Sequence, residues 1–331
     1  MPAASLVGIM ASTTAAFFDL VRSQLPAVET RMRTGAGNHH PNLDAAIEQI
    51  LSSGGKRIRP TLTLLTGSML GADPGRAITL AAAIEMLHTA TLVHDDLIDG
   101  SVLRRGLPTL NARWSPGATV LTGDYVFARA AQLAAQTGSL PLMEIFARTL
   151  MTIVNGEITQ LFHTHQDDTR EDYFNRIYAK TASLFELSTE AAALLGGASQ
   201  EVVAAMKDYG YHIGIAFQIV DDLLDFIGDQ EQVGKPLASD LRQGIVTLPT
   251  LYYLQQNRED PDLALALEGR VAEEPLRRLV ESIRRSGAIE RSLEEAREFA
   301  SIGEANLAGM PDGLERTALY ELARYVVERS T

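Results

Sequence analysis

Two stretches of this chain crowd three aspartates into about one turn of helix. HTATLVHDDLIDG (residues 88–100) carries Asp95, Asp96 and Asp99; FQIVDDLLDFIGD (217–229) carries Asp221, Asp222 and Asp225. On a helix, residues i and i+4 share a face, so each triplet projects as a cluster. Like charges this close raise one another's pKa unless a cation is present. A solvated acidic face is the plain alternative, but the apolar flanks TATLV and FQIV imply buried helices. An N-cap cluster is the other, yet both triplets end a long helical pattern, where the macrodipole disfavours negative charge. A bound dication offsets that cost. Oxygen donors point to a hard cation, Mg²⁺ first, which keeps waters and takes a few carboxylates together with phosphate oxygens.

Cations accompany the carboxylates. GGKRIRP (54–60) is a glycine-started turn in which Lys56 and Arg59 can reach phosphate oxygens. His88 precedes Asp95 by two helical turns on the same face, although a lone histidine is more often a satisfied core residue. Arg104 and Arg105 follow the first triplet on a loop, Lys180 and Thr181 stand together in YAKTASLFE, Gln218 precedes Asp221 on the acidic face, and Lys235 lies in GKP. His39, His40, His163, His165 and His212 carry no pattern and are read as ordinary residues.

The whole chain narrows what this constellation can serve. It has 331 residues, 46% of them hydrophobic, a formal net charge of −13 and no cysteine. The composition is that of a globular protein. The acidity argues against nucleic acid as a partner and requires local cations for any anionic ligand. Without cysteine there is no disulfide, thiolate zinc site or thiol nucleophile, and a reducing compartment fits. The start, MPAASLVGIMASTTAAFFDL, lacks a basic leading region, and Asp19 interrupts its apolar run. No uninterrupted apolar stretch reaches the length of a membrane span. A cytoplasmic protein without a transmembrane segment is expected.

The elements that must position these residues are helical. Residues 73–96 open on Asp-Pro and 115–136 on Ser-Pro, both helix-start pairs; 140–162, 171–196 and 200–228 repeat apolar residues at three and four. No sustained alternation of period two marks a strand. Loops fall at 52–60, 99–117 and 228–244. The last quarter reads as charged amphipathic scaffold helices. The expectation is an all-α single domain over residues 1–331.

Taken in order, GGKRIRP, HDDLIDGSVLRRGLPT, GDYVFARA, NGEITQL, KTASLF, FQIVDDLLDF and GKPLASDLRQGIVTLP resemble the trans-polyprenyl diphosphate synthase family over most of the chain. The resemblance implies one large helical bundle around a deep central cavity, of isoprenoid synthase type, as a homodimer. It implies Mg²⁺-dependent condensation of isopentenyl diphosphate with an allylic prenyl diphosphate. In that reading Asp95, Asp99 and Asp221 are metal ligands, and Asp96, Asp222 and Asp225 complete the motifs. Arg104, Lys180 and Lys235 then hold the allylic diphosphate, while Lys56, Arg59, His88 and Arg105 hold the isopentenyl diphosphate. Thr181 and Gln218 line the reacting carbons. One departure stands out: Ile245 in GIVTLP occupies the place of a second lysine found in many relatives.

The reaction so implied leaves an allylic carbocation that must meet an alkene, not water. Apolar helix walls and the dipoles of Thr181 and Gln218 suit that need. Product length is expected to follow the depth available below the first triplet. At about 1.5 Å per residue, Ala90 lies about 7 Å, Leu87 and Met86 about 12 Å or more, and Ala83 about 18 Å below Asp95. A small Ala90 leaves depth for a product of C20 or longer. Two other readings use similar residues: a catalytically silent partner of a heteromeric synthase, and a terpene cyclase. The first usually loses acidic residues that are intact here; the second usually replaces the second triplet and has no need of GGKRIRP.

Overall fold

The computed structural model describes residues 17–34, 40–52, 54–104, 106–162, 169–227 and 238–329. Its long elements are helices. The exception among the described residues is a two-residue hairpin, β1 (Leu103–Arg104) with β2 (Leu107–Pro108), paired antiparallel with Arg104 opposite Leu107. The described residues fall into two compact units. One comprises residues up to Thr149, Leu184–Lys207 and Gly309–Glu321; the other comprises Leu150–Ser183, Asp208–Ala308 and Leu322–Thr331.

The first unit is built on α4 (Pro74–Ile98). Its start follows from chemistry at the boundary: Asp73 accepts the N–H of Arg76 at 2.9 Å, and Pro74 sets the first helical φ. Leu80 through Leu87 are all buried, Glu85 among them, so this helix sits in the core. It is long and apolar enough to cross a membrane, but 72% of that window is buried inside the protein. Around it pack α1 (Leu25–Arg33), α3 (Ile58–Met69) and, most extensively, α5 (Pro116–Gln136). The approach of α5 requires Gly123: a Cβ there would come within 2.2 Å of His94 Nε2. α2 (Pro41–Ser52) lies against α5.

α6 (Leu140–Phe162) supplies its residues from Leu150 onward to the second unit. There α7 (Arg170–Ile177), opened by a capping box between Thr169 and Asp172, runs into a π-helical turn at Tyr178–Ala182; α8 (Ser183–Leu195) comes next in the chain and from Leu184 onward is counted with the first unit. The sequence pattern read 171–196 as one helix. The axis does continue, but the π turn inserts an extra residue per turn at Lys180 and Thr181, a device that recurs at functional sites. α9 (Gln200–Ile227), α10 (Ser239–Arg242), α11 (Leu248–Gln256), α12 (Pro261–Leu267), α13 (Glu273–Arg285), α14 (Ala288–Asn306) and α15 (Leu314–Glu328) follow. One core of this unit gathers Tyr173, Ile215, Ile219, Leu223, Leu251 and Ala296; another gathers Phe226, Leu241, Leu263, Leu279 and Ile283. Phe226 and Leu223 anchor the C-terminal end of α9, which carries the second acidic triplet.

Candidate active site

The first triplet ends α4, as the pattern required. Asp95 and Asp96 are buried at 8% and 7% exposure, and Asp99 is the exposed C-cap. The helix stops in a Schellman arrangement. Ser101 N–H donates to Asp96 O (2.9 Å) and Gly100 N–H to Leu97 O (3.3 Å), with Gly100 at φ 63°. That turn feeds the hairpin, which returns Arg104 onto the triplet. Arg104 Nε and Nη2 donate to Asp96 Oδ1 at 2.9 and 2.8 Å. Among the described residues, no hydrogen bond or ion pair engages the Asp99 carboxylate.

In the same unit, a solvent-open cleft of about 750 Å³ is lined by Gly54, Arg57, Glu85, His88, Asp96 and Arg104 among others. His88, Asp96 and Arg104 thus line one cleft. Lys56 is exposed, two residues after Gly54, and Arg59 stacks its guanidinium over Phe185 at 5.1 Å. Ala83, Met86, Leu87 and Ala90 lie further down α4 and are wholly buried.

The second triplet ends α9. Asp221 is exposed, and Arg329 Nη1 stands 3.6 Å from its Oδ1. Asp222 is buried and fully hydrogen-bonded. Gln218 Nε2 donates to its Oδ1 at 2.7 Å, and Tyr173 Oη donates to its Oδ2 at 2.8 Å. Thr181 Oγ1 in turn donates to Gln218 Oε1 at 2.6 Å. Burial, and then the nearby Asp240, push the Asp222 carboxyl well above its usual range, against the pull of those two donors. Asp225 accepts the N–H of Ser239 (3.1 Å), its hydroxyl (2.9 Å) and the N–H of Asp240 (3.1 Å). Lys180, in the π turn, stands 3.2 Å from Glu157 of α6.

Residues that sequence reasoning passed over complete this picture. Glu157 lies inside NGEITQL, and Arg57 and His94 adjoin predicted residues, so their motifs were visible without their roles. Tyr173 and Arg329 had no sequence signal. Arg329 is nearly buried, donates to Phe217 O at 2.6 Å and lies 3.7 Å above the Phe217 ring; burial lowers its pKa. His94 Nε2 lies 3.2 Å from Val120 O and 3.5 Å from Asp124. Of the histidines set aside, His212 bonds Asp208 O through Nδ1 at 2.7 Å, His40 is exposed, and His39, His163 and His165 lie outside the described residues. So do Arg105 and Lys235. Ile245 is half-buried, its N–H donating to Asp240 O at 2.9 Å.

These partners test the fit of a hard dication. Among the described residues no three acidic or histidine side chains gather closely enough to hold a metal by themselves. Mg²⁺ takes one or two carboxylates and completes its shell with water and phosphate oxygens, so it does not require a cage made of protein alone. Asp96, Asp222 and Asp225 are committed to protein donors, whereas Asp99 and Asp221 present exposed carboxylates. Each of these carboxylates, taken in its own unit, is a hard oxygen donor of the kind that ion takes.

The sequence model of the polyprenyl synthetase family matches residues 40–283. The chain is 38% identical over 316 residues to heptaprenyl diphosphate synthase component 2 of Geobacillus stearothermophilus, covering 95% of this chain and 98% of that one. It is 38% identical over 283 residues to the octaprenyl diphosphate synthase of Escherichia coli, covering 85% and 88%. A crystal structure of polyprenyl synthase from Caulobacter crescentus, complexed with calcium and isoprenyl diphosphate, superposes with a TM-score of 0.90. The two are 37% identical, and the match covers 96% of this chain and 98% of that one. Motif order, an all-α isoprenoid synthase fold and these likenesses converge: the chain belongs to the polyprenyl synthetase family, the prenyl transferases that make polyprenyl diphosphates.

Proposed function

We propose that this enzyme condenses isopentenyl diphosphate with an allylic prenyl diphosphate in the presence of Mg²⁺, giving a trans-polyprenyl diphosphate of C20 or longer. The observation that carries the site assignment is the division of labour among six aspartates. Asp96, Asp222 and Asp225 are held by protein donors, Asp95 is buried beside Asp96, and Asp99 and Asp221 keep exposed oxygens at helix ends. Asp95, Asp99 and Asp221 would hold the metal. Mg²⁺, when bound, neutralises charge that builds on the leaving diphosphate. The calcium and isoprenyl diphosphate in the Caulobacter relative support a hard cation with this class of ligand.

The chain's own groups do the rest. Arg104 uses two nitrogens on Asp96, and its guanidinium has five N–H groups, so it can hold Asp96 and still donate to the allylic diphosphate. Lys180 adds a point charge, with Lys235 joining it. Lys56, Arg59, His88 and Arg105 bind the isopentenyl diphosphate. Heterolysis of the allylic C–O bond leaves a carbocation. The fixed dipoles of Thr181 and Gln218, locked by their mutual hydrogen bond, stabilise it without reorganising. The alkene attacks, the new C–C bond forms, and a proton passes to the released diphosphate.

The whole chain acts as a single catalytic domain in this reading. The exposed apolar residues Met151, Val154, Ile158 and Phe162 of α6, spaced at three and four, support a homodimer seam. The lack of cysteine supports a cytoplasmic location. The Geobacillus relative is named as one component of its synthase, which favours a second assembly reading, a hetero-oligomer. Purified chain incubated with isopentenyl diphosphate, Mg²⁺ and allylic primers of several lengths tests both. Products of C20 or longer, abolished by chelation, are expected. No product from any primer sinks the homomeric reading, and product only on adding a second subunit establishes the heteromeric one.

A further inference from the structure

Lys56 and Arg59 flank a residue with an unusual backbone. Arg57 sits at φ 50°, ψ 34°, in the left-handed region, as the N-cap of α3. Arginine gains nothing locally from that conformation, so its surroundings must impose it. They do so through its side chain. Nη1 donates to Glu85 Oε1 at 2.8 Å; Nε and Nη2 donate to Glu29 Oε1 at 3.3 and 3.2 Å; Nη2 also reaches Leu51 O at 3.5 Å. All three guanidinium nitrogens are thus engaged by the protein. The Arg57 side chain is 14% exposed and that of Glu85 only 7%.

Glu85 is an odd neighbour for an anion. It belongs to the buried face of α4 and lines the same cleft as His88 and Arg104. An unpaired buried carboxylate there would repel a diphosphate. Arg57 pairs with that charge, and the N–H groups it gives to the two glutamates and to Leu51 O do not serve a ligand.

We propose that Arg57, clamped by Glu85 and Glu29, is a positioning residue for the isopentenyl diphosphate subsite. It fixes the turn from Gly54 to Ile58 so that Lys56 and Arg59 face one anion, and it masks the charge of Glu85. This rests on assigning Lys56, Arg59 and His88 to that substrate.

The test is a set of variants: Arg57→Gly, Arg57→Lys, Glu85→Gln and the double R57G/E85Q. Glycine accepts the left-handed backbone, so Arg57→Gly removes the clamp without adding strain. In Arg57→Gly the KM for isopentenyl diphosphate should rise at least about tenfold, while the KM for the allylic primer stays within about twofold. Arg57→Lys keeps a charge but cannot fork between two glutamates, and should fall between. The double variant should recover part of the loss, because the exposed repulsion goes with Glu85. Wild-type KM in Arg57→Gly, or both KM values rising together, overturns the proposal. Calorimetric titration with isopentenyl diphosphate alone reads the same subsite without turnover. If the wild-type enzyme turns over but all variants bind equally well, the positioning role fails while the functional assignment stands. If even the wild type neither binds nor turns over, the functional assignment fails and takes this proposal with it. Should Arg57→Gly not fold, Glu85→Gln and Arg57→Lys carry the comparison.

Discussion

Asp225 holds Ser239 through a single carboxylate oxygen, which accepts both its N–H (3.1 Å) and its hydroxyl (2.9 Å). The other oxygen accepts the N–H of Asp240 at 3.1 Å. Asp225 therefore serves as the missing cap of α10, whose own N-cap residue, Ala238 at φ 54°, has no side chain to offer. One turn earlier on the same face, Asp221 has, among the described residues, Arg329 at 3.6 Å. Two residues with the same chemistry in one motif are thus doing different jobs.

Alanine substitutions should separate those jobs. Asp225→Ala strands two N–H groups at a helix start and should lower unfolding stability by about 2 kcal/mol. Asp221→Ala should cost less than about 1 kcal/mol, since Arg329 keeps its carbonyl partner, yet cut kcat by about 10²–10³-fold. Denaturant unfolding and steady-state turnover on both variants decide it. Equal stability losses would put Asp221 with the structural aspartates.

Gln218 is the middle of a chain running from Thr181 to Asp222, and both its amide atoms are used. Gln218→Leu keeps the bulk but leaves a buried carboxylate oxygen without its donor and the Thr181 hydroxyl without its acceptor. Stability should fall by about 2–3 kcal/mol, and kcat should fall more than the KM of either substrate rises. Conversely, a variant with unchanged kcat would remove Gln218 from the site.

The long helices were legible because their signals are local: capping pairs at Asp73 and Ser115, and apolar spacing through the triplets. Both triplets ended helices as read, and His88, Asp96 and Arg104 met in one cleft. What stayed hidden depends on tertiary partners. Nothing in YAKTA announces a π turn. Nothing in DDLLD tells which carboxylate will cap a helix fourteen residues on. Tyr173 and Arg329 reach the second triplet from distant sequence, and no spacing rule links them to it. Arg57 was in view inside GGKRIRP, but its glutamate partners were not.

Gly156 shows how closely α6 packs on that π turn. A Cβ at Gly156 would lie 2.4 Å from the Cβ of Ala179, inside any real contact. Its neighbour Glu157 meets Lys180 at 3.2 Å. Gly156→Ala must therefore push α6 off the turn and carry Glu157 away from Lys180. The expected result is a stability loss of about 1–3 kcal/mol with a raised KM for the allylic primer. A Glu157→Gln control, which leaves the packing intact, should show the KM effect with little change in stability. Thermal unfolding and primer kinetics on the pair distinguish misplaced packing from a lost ion pair.

Ala90 lies five residues before Asp95 on the core helix and is wholly buried. If the growing prenyl chain descends along α4, its path passes this position before Leu87, Met86 and Ala83. Ala90→Phe adds a ring about 7 Å below the acidic triplet. The products should shift to shorter chains while the first condensation continues. Overpacking should cost about 1–3 kcal/mol, so stability is measured alongside. Chromatographic sizing of the dephosphorylated products gives the answer. An unchanged length distribution from a folded, active variant would show that the chain takes another route. A shortened one would make three levels along the helix a graded series, Ala90, then Leu87 with Met86, then Ala83, which lie roughly 4–6 Å apart, so that a larger residue at each lower level permits a longer product than one at the level above.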